Sequence, residues 1–378
     1  MDFLKLIDEL NEKYIKVWAD IASIESPSNY KKGVDEANEY FINIAKENNW
    51  DVEIFEQERL GNAVCITMNP DKERVITLSG HTDTVHPVGS FGETPVHLDE
   101  EKIYGPGVTD CKGGIVAGFF AMEALQKAGF KDKQVRMILQ GNEEIGSGLE
   151  NKASIEYMCQ RSKDTELFLN LEGTNRGKVV TERKGIARFI VKVSGMAAHS
   201  AWAEKGANAI AQAAHKIIAI ESLREKLGIT CSCNLINGGM SQNTVPDSCE
   251  FTVDMRFLNK KELELFKKEI ERIVSTVEVE GCVSQVEMTN LRPAMELRQE
   301  NIDALDKINQ IFKKNGLEPL EGSYGNGGSD ASDISEYGIT TIDSIGTDGS
   351  KLHTTDEYGE LESLRLTAKR LAVIIKEW

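Results

Sequence analysis

The stretch RVITLSGHTDTVHPVG, Arg74 to Gly89, decides the fold class. Its first residues are apolar and β-branched and read as a buried strand. Proline and glycine then mark a loop, and His81 and Asp83 stand one residue apart where the strand surfaces. The same texture recurs on both sides. AVCITM, QVRMILQG and ELFLNLEG read as strands, and GGIVAGFFAMEALQKAG reads as a helix ending at Gly129. Continuous apolar runs separated by helices argue for an α/β fold with a mainly parallel central sheet covered on both faces.

Near residue 185 the pattern changes. ARFIVKVSG is a strand, NAIAQAAHKIIAIESLREKLG a helix, and ITCSCNLINGG and SCEFTVDMRFL two further strands. KKELELFKKEIERIVSTV is a second helix and VSQVEMTN a last strand. That β-α-β-β-α-β order is the split, ferredoxin-like arrangement of a small α+β unit. From LRPAMEL onward helix-strand alternation resumes. The spacing therefore predicts one α/β domain, residues 1–182 and 291–378, interrupted by an inserted domain at 183–290. At 378 residues the chain is also long for a single core.

A hydrophobic content of 40% and a charged content of 28% are those of a globular protein. The net charge of −17 argues against nucleic acid or an anionic membrane as partner, because nothing would neutralise phosphates. The N-terminal stretch has helical spacing and acidic residues throughout, unlike a signal peptide, and no segment is long enough to span a bilayer. A cytoplasmic location is expected. The seven cysteines form no C-x-x-C pair, so neither a disulfide framework nor a cysteine zinc ribbon is indicated. Cys231 and Cys233 read as one packed strand face.

The strand ends carry the chemistry. His81 and Asp83 follow RVITLSG; Asp110 precedes the GGIVAGFF helix; Glu143 and Glu144 follow VRMILQGN; Glu172 follows LFLNL; and His353 comes late, in SKLHTTDEY. In an open parallel sheet the C-terminal strand ends share one rim, where ligands bind. So many carboxylates with two histidines would repel without a cation. Oxygen and imidazole donors suit zinc or a similar divalent ion, and their number suggests two ions. Singly, each residue has a plainer reading: His81 a loop-end histidine, Asp110 a helix cap, Glu143 and Glu144 solvated acids. All at successive strand ends, they read as one site.

In the order SGHTDTV, YGPGVTDCKGG, GNEEIGS, AAHSA, GGSDAS and a late histidine, the chain resembles the dinuclear zinc exopeptidase and deacylase family. That family includes glutamate carboxypeptidase, acetylornithine deacetylase, succinyl-diaminopimelate desuccinylase, aminoacylase and the aminotripeptidases. The resemblance covers essentially the whole chain, and it implies a zinc-binding domain carrying an inserted dimerisation domain. It implies that His81 and Glu172 bind one ion, that His353 and Glu144 bind the other, and that Asp110 bridges them. Zinc is the expected metal, with Co2+ or Mn2+ as alternatives. Asp83 would orient His81 through its far nitrogen, and Glu143 matches the general base of metal-assisted amide hydrolysis.

The same resemblance assigns His199, in GMAAHSA, to oxyanion stabilisation in the partner subunit's site. It assigns Asn243 and Arg256 to the substrate's carboxylate and carbonyl, with Lys184, Gly327 and Gly328 as further pocket residues. Taken alone, His199 reads as a surface histidine and Arg256 as a strand arginine paired with an acid. His86, His97 and His215 receive no role, and His215 is expected to pack in its apolar helix. The function implied is a homodimeric metallopeptidase acting on a small peptide or N-acyl amino acid with a free carboxylate, nearest the glutamate carboxypeptidase branch. A biosynthetic deacylase of acetylornithine or succinyl-diaminopimelate is the alternative. A catalytically silent metal-binding relative would lack a ligand or the base, and none is missing.

Overall fold

The computed structural model describes residues 2–146, 148, 152–174 and 176–378. Two main sheets are built, in chain order, from β1 (Asp51–Phe55), β2 (Ala63–Met68), β3 (Val75–His81), β4 (Gln134–Gln140), β5 (Leu167–Asn170), β6 (Gly185–Ser194), β7 (Thr230–Gly238), β8 (Ser248–Phe257), β9 (Val283–Arg292) and β10 (Thr341–Ile342). The helices used below are α1 (Phe3–Ala22), α2 (Lys31–Glu47), α3 (Gly113–Lys127), α4 (Ala153–Arg161), α5 (Ala209–Glu221), α6 (Lys260–Ser275), α7 (Gln299–Lys314), α8 (Asp330–Glu336) and α9 (Leu361–Glu377).

The central sheet has the order β1-β2-β4-β3-β5-β10. Strands β4, β3, β5 and β10 pair in parallel, whereas β2 runs antiparallel to both of its neighbours. Phe55 is paired with Ala63, so the chain folds straight back from β1 into β2 and reverses direction there. Every residue of β2, β3, β4 and β5 is buried, which is why these strands read as unbroken apolar runs instead of alternating. Helices α1, α2, α3, α7 and α9 bury one face in a single large cluster. Helices α4 and α8 cover the other through Ile155, Met158, Cys159 and Ile334 against Cys65, Ile138 and Phe168. Helix α3 is buried on all sides from Gly113 to Leu125, as a helix apolar all round must be.

The second sheet has the order β7-β8-β6-β9 and is antiparallel throughout. Helices α5 and α6 pack on one of its faces in a core of their own, around Phe189, Phe251 and Phe266. The other face is open, so β6 and β8 alternate between buried and exposed positions.

His215 departs from expectation. The buried stripe of α5 runs through Ala209, Gln212, Ala213, Lys216 and Ile220, which turns His215 to the outside. Its place is taken by the fully buried Lys216, whose ammonium is satisfied by the Ile273 carbonyl, Thr276 and Glu278. Apolar composition alone did not reveal which side of the helix faced the core. Among the described residues, no helix is long and apolar enough to cross a membrane.

Candidate metal centre

Because β3, β4 and β5 run parallel, their C-terminal ends lie on one rim. His81 is the last residue of β3. Glu143 and Glu144 lie in a single helical turn after β4, and Glu172 follows β5. Asp110 stands in the turn that leads into α3, and His353 in the loop that leads to α9.

Asp110 is the centre of the cluster. Its Oδ1 lies 3.1 Å from His81 Nε2 and its Oδ2 lies 3.0 Å from His353 Nε2. Each histidine has one further carboxylate: Glu172 Oε1 at 3.6 Å from His81 Nε2, and Glu144 Oε2 at 3.4 Å from His353 Nε2. The other nitrogen of His81, Nδ1, lies 2.9 Å from the Asp83 carbonyl oxygen and 3.4 Å from its carboxylate. The Asp83 carboxylate is fully buried and does more than face the imidazole. It accepts from the backbone N–H of Glu143 at 3.0 Å and of Glu144 at 3.2 Å, and from Ser28 Oγ at 2.6 Å. It therefore fixes the turn that carries both glutamates.

Burial and mutual hydrogen bonds set the electrostatics of the cluster. Burial pushes Glu172 up to about 8 and Glu144 up to about 7, the latter opposed by the hydrogen bond from His353. Burial also acts on Asp110, but hydrogen bonds from His353 and His81 hold it below the usual carboxylate range. Hydrogen bonds to Asp110 and Glu144 push His353 up to about 10. Burial pushes the Cys111 thiol up to about 12, and its sulfur accepts from the His81 backbone N–H at 3.1 Å. Ligand atoms of His81, Asp110 and Glu144, and separately of His81, Cys111 and Glu172, lie within 4.8 Å of one another. Two imidazoles, a carboxylate with one oxygen toward each, and two carboxylates that burial drives toward their neutral forms make a donor set that a pair of divalent ions fits.

Two partners of the site escaped the sequence reading. Arg292, at the end of β9 and nearly fully buried, donates from Nη1 to Glu143 Oε1 and from Nη2 to the Glu143 carbonyl at 3.1 Å. Burial opposes the charge of Arg292, but the carboxylates of Glu143, Asp330 and Asp333 hold its pKa above the ordinary value. Glu357 is buried beside the turn that carries Asp110. The signal available for Arg292 was its place in LRPAMEL, where the chain leaves the second sheet; for Glu357 it was its position four residues after His353.

Of the remaining candidates, His199, Asn243 and Arg256 belong to the second sheet and its connections, Lys184 stands just before β6, and Gly327 and Gly328 lie between α7 and α8. His199 and Asn243 lie together, with the Ser200 N–H donating to the Asn243 carbonyl at 2.9 Å, and both are exposed. Arg256 pairs with Asp254 on its own strand at 2.7 Å. No hydrogen bond or ion pair among the described residues joins His199, Asn243 or Arg256 to the Asp110 cluster. Lys184 lies over the Tyr324 ring, 5.8 Å from its centroid. The Gly327 carbonyl accepts from Arg183 Nη1 at 3.2 Å, and a Cβ on Gly328 would meet Arg292 Cδ at 2.8 Å. A cavity of about 450 Å³ is lined by Thr109, Gly173 and Leu352, the sequence neighbours of Asp110, Glu172 and His353, together with Lys178, Tyr324 and Lys351.

The chain is similar to known proteins over most of its length. Carboxypeptidase G2 of Pseudomonas sp. (strain RS-16) is 25% identical over 296 residues, 76% of this chain and 70% of that protein. A succinyl-diaminopimelate desuccinylase of Gluconobacter oxydans is 26% identical over 309 residues, 76% of this chain and 77% of that protein. Among solved structures, a tripeptidase from Staphylococcus aureus superposes with a TM-score of 0.81 at 21% identity, covering 97% of this chain and 98% of that one, a likeness of fold. Residues 77–377, a span that takes in the rim of the central sheet and the whole inserted unit, match Peptidase family M20/M25/M40. The chain thus belongs to that family of metal-dependent hydrolases of peptides and acyl amino acids.

Proposed function

We propose that this hydrolase is a dinuclear, carboxypeptidase-like enzyme that cleaves the amide of a short peptide or N-acyl amino acid bearing a free carboxylate. The observation that carries the reading is Asp110, whose two oxygens face His81 and His353 separately while Glu143 stands on the adjoining turn. His81 and Glu172 would hold one ion, His353 and Glu144 the other, with Asp110 shared and zinc the expected metal. When bound, the ions supply Lewis acidity at the scissile carbonyl.

The chain's own residues do the rest. Glu143 accepts the proton of the attacking water and returns it to the leaving nitrogen. Arg292 holds one carboxylate oxygen of Glu143, and the other would take that proton. Lys178 and Lys351 line the cavity that Thr109, Gly173 and Leu352 share, and would suit a carboxylate-bearing substrate. His199 and Asn243, exposed and joined to this cluster by no hydrogen bond or ion pair among the described residues, would complete the partner subunit's site in a homodimer. Residues 183–290 would form the dimerisation domain, and 1–182 with 291–378 the catalytic one. Seven cysteines without a disulfide support a cytoplasmic setting. A biosynthetic deacylase remains the second reading, favoured by the desuccinylase relative.

Turnover of a panel of dipeptides, N-acyl amino acids, acetylornithine and succinyl-diaminopimelate by zinc-loaded protein separates the two. Glu143→Gln should lower kcat by about two to four orders of magnitude with metal content unchanged. A Glu143→Gln protein that loses an ion, and recovers its rate when metal is restored, would exchange the roles of Glu143 and Glu144.

A further inference from the structure

We propose that Glu357 is a positioning residue that sets Asp110 between the two histidines before any metal arrives. Its carboxylate is 1% exposed. Oε1 accepts from the backbone N–H of Thr109 at 2.9 Å and of Asp110 at 3.1 Å, and Oε2 accepts from that of Gly107 at 3.2 Å. The neighbouring backbone joins the same seam: the Gly105 N–H donates to the Glu357 carbonyl at 3.3 Å, and Thr109 Oγ1 donates to the Tyr358 carbonyl at 2.8 Å. His86 Nε2 lies 3.6 Å from Oε2.

Three N–H groups on one buried carboxylate are charge-assisted bonds of fixed direction, and burying that charge is costly without them. They leave the Asp110 backbone little freedom, so its side chain emerges with one oxygen toward each imidazole. Glu357 also follows His353 by four residues. The segment that delivers one histidine therefore holds the bridging carboxylate, although Asp110 and Glu357 are 247 positions apart in the chain. Asp83 plays the same part for Glu143 and Glu144 through their amides. The two buried carboxylates thus anchor the turns that present Asp110, Glu143 and Glu144. A glutamine at 357 would keep one acceptor oxygen for Thr109 and Asp110 but turn an amide NH2 toward the Gly107 N–H, which loses one of the three bonds and removes the charge that strengthens the other two.

The proposal rests on the metal reading above, so its test measures metal binding and loop order, not hydrolysis. Calorimetric titration of metal-free protein with zinc, and the visible spectrum with cobalt, are compared for wild type and Glu357→Gln. The variant should bind about 10–100-fold more weakly and show an altered cobalt spectrum, the effect usual for partners of metal ligands. The metal-free variant should melt at a lower temperature than wild type, since the Gly107 N–H loses its acceptor, yet stay folded at the temperature of the titration. Wild-type affinity and spectrum in a folded variant would overturn the assignment. Independently of any variant, amide exchange in metal-free wild type should already be slow at Gly107, Thr109 and Asp110. Fast exchange there, slowed only by metal, would overturn it too. A wild-type chain that binds no divalent ion would sink both this proposal and the metal reading.

Discussion

Gly80 shows how little space separates the site from its support. A Cβ at this position, one residue before His81, would lie 2.6 Å from Ile115 Cγ1 and 2.9 Å from Cys111 Sγ. Gly80→Ala must push the first turn of α3 away from β3, and with it the turn that carries Asp110. We expect a loss of about 1–3 kcal/mol in stability, the usual range for overpacking, together with weaker metal binding; urea unfolding and zinc titration measure the two. An unchanged midpoint would mean that α3 yields freely. His353 is held in the left-handed region, φ +61°, which a non-glycine residue seldom adopts and which is often found at functional positions. His81, Asp110, Glu144 and Glu172 were legible in the sequence because each falls where a strand or turn ends. Arg292 and Glu357 were not, since their partners lie 149 and 247 positions away and only the fold brings them together.

At the level of elements, β7 is one of the two edge strands of the second sheet, and it carries Leu235 and Ile236, 70% and 57% exposed. Ile218 on the adjoining α5 is 71% exposed. An edge strand with apolar side chains is a template for pairing with another chain unless it is covered, and the proposed homodimer would cover it. Ile236→Lys should leave the fold intact, since the side chain buries little, yet shift the sedimenting mass to that of one chain and lower activity without loss of metal. A variant that stays dimeric would place the interface elsewhere. The type of β2 to β9 and of α3, α5 and α6 followed from the apolar pattern, including the split arrangement of β6 to β9, whereas β1, β10, α2, α4 and α8 did not. The antiparallel direction of β2 did not, because the pattern of a fully buried strand is the same in either direction. His215 was misjudged for a related reason: a helix of mean apolar character does not reveal which stripe is buried.

For the whole molecule the metal is a matter of charge balance. In the metal-free chain burial pushes Glu144 up to about 7 and Glu172 up to about 8, and hydrogen bonds to Asp110 and Glu144 push His353 up to about 10. All three keep protons in the folded chain at pH values where the unfolded chain, with carboxylates near 4.3 and histidine near about 6.5, has released them. The glutamates therefore penalise folding increasingly as pH rises from about 4.3 to 8. What His353 contributes is complete below about 6.5 and lost as pH climbs toward 10. Both act in one direction, so chelator-treated protein should melt at lower temperature at pH 8.5 than at pH 6, with the gap to metal-loaded protein widening. A constant gap would mean that these groups titrate together in both states. The chain position of His353 has a consequence for biosynthesis. His81, Asp110, Glu144 and Glu172 leave the ribosome before the inserted sheet, and that sheet has a core of its own. His353 and Glu357 follow well over a hundred residues after Glu172. A nascent chain can thus order the inserted unit while the metal site is still half made, and hydrolytic competence comes only as the last strand and helix of the central sheet are added.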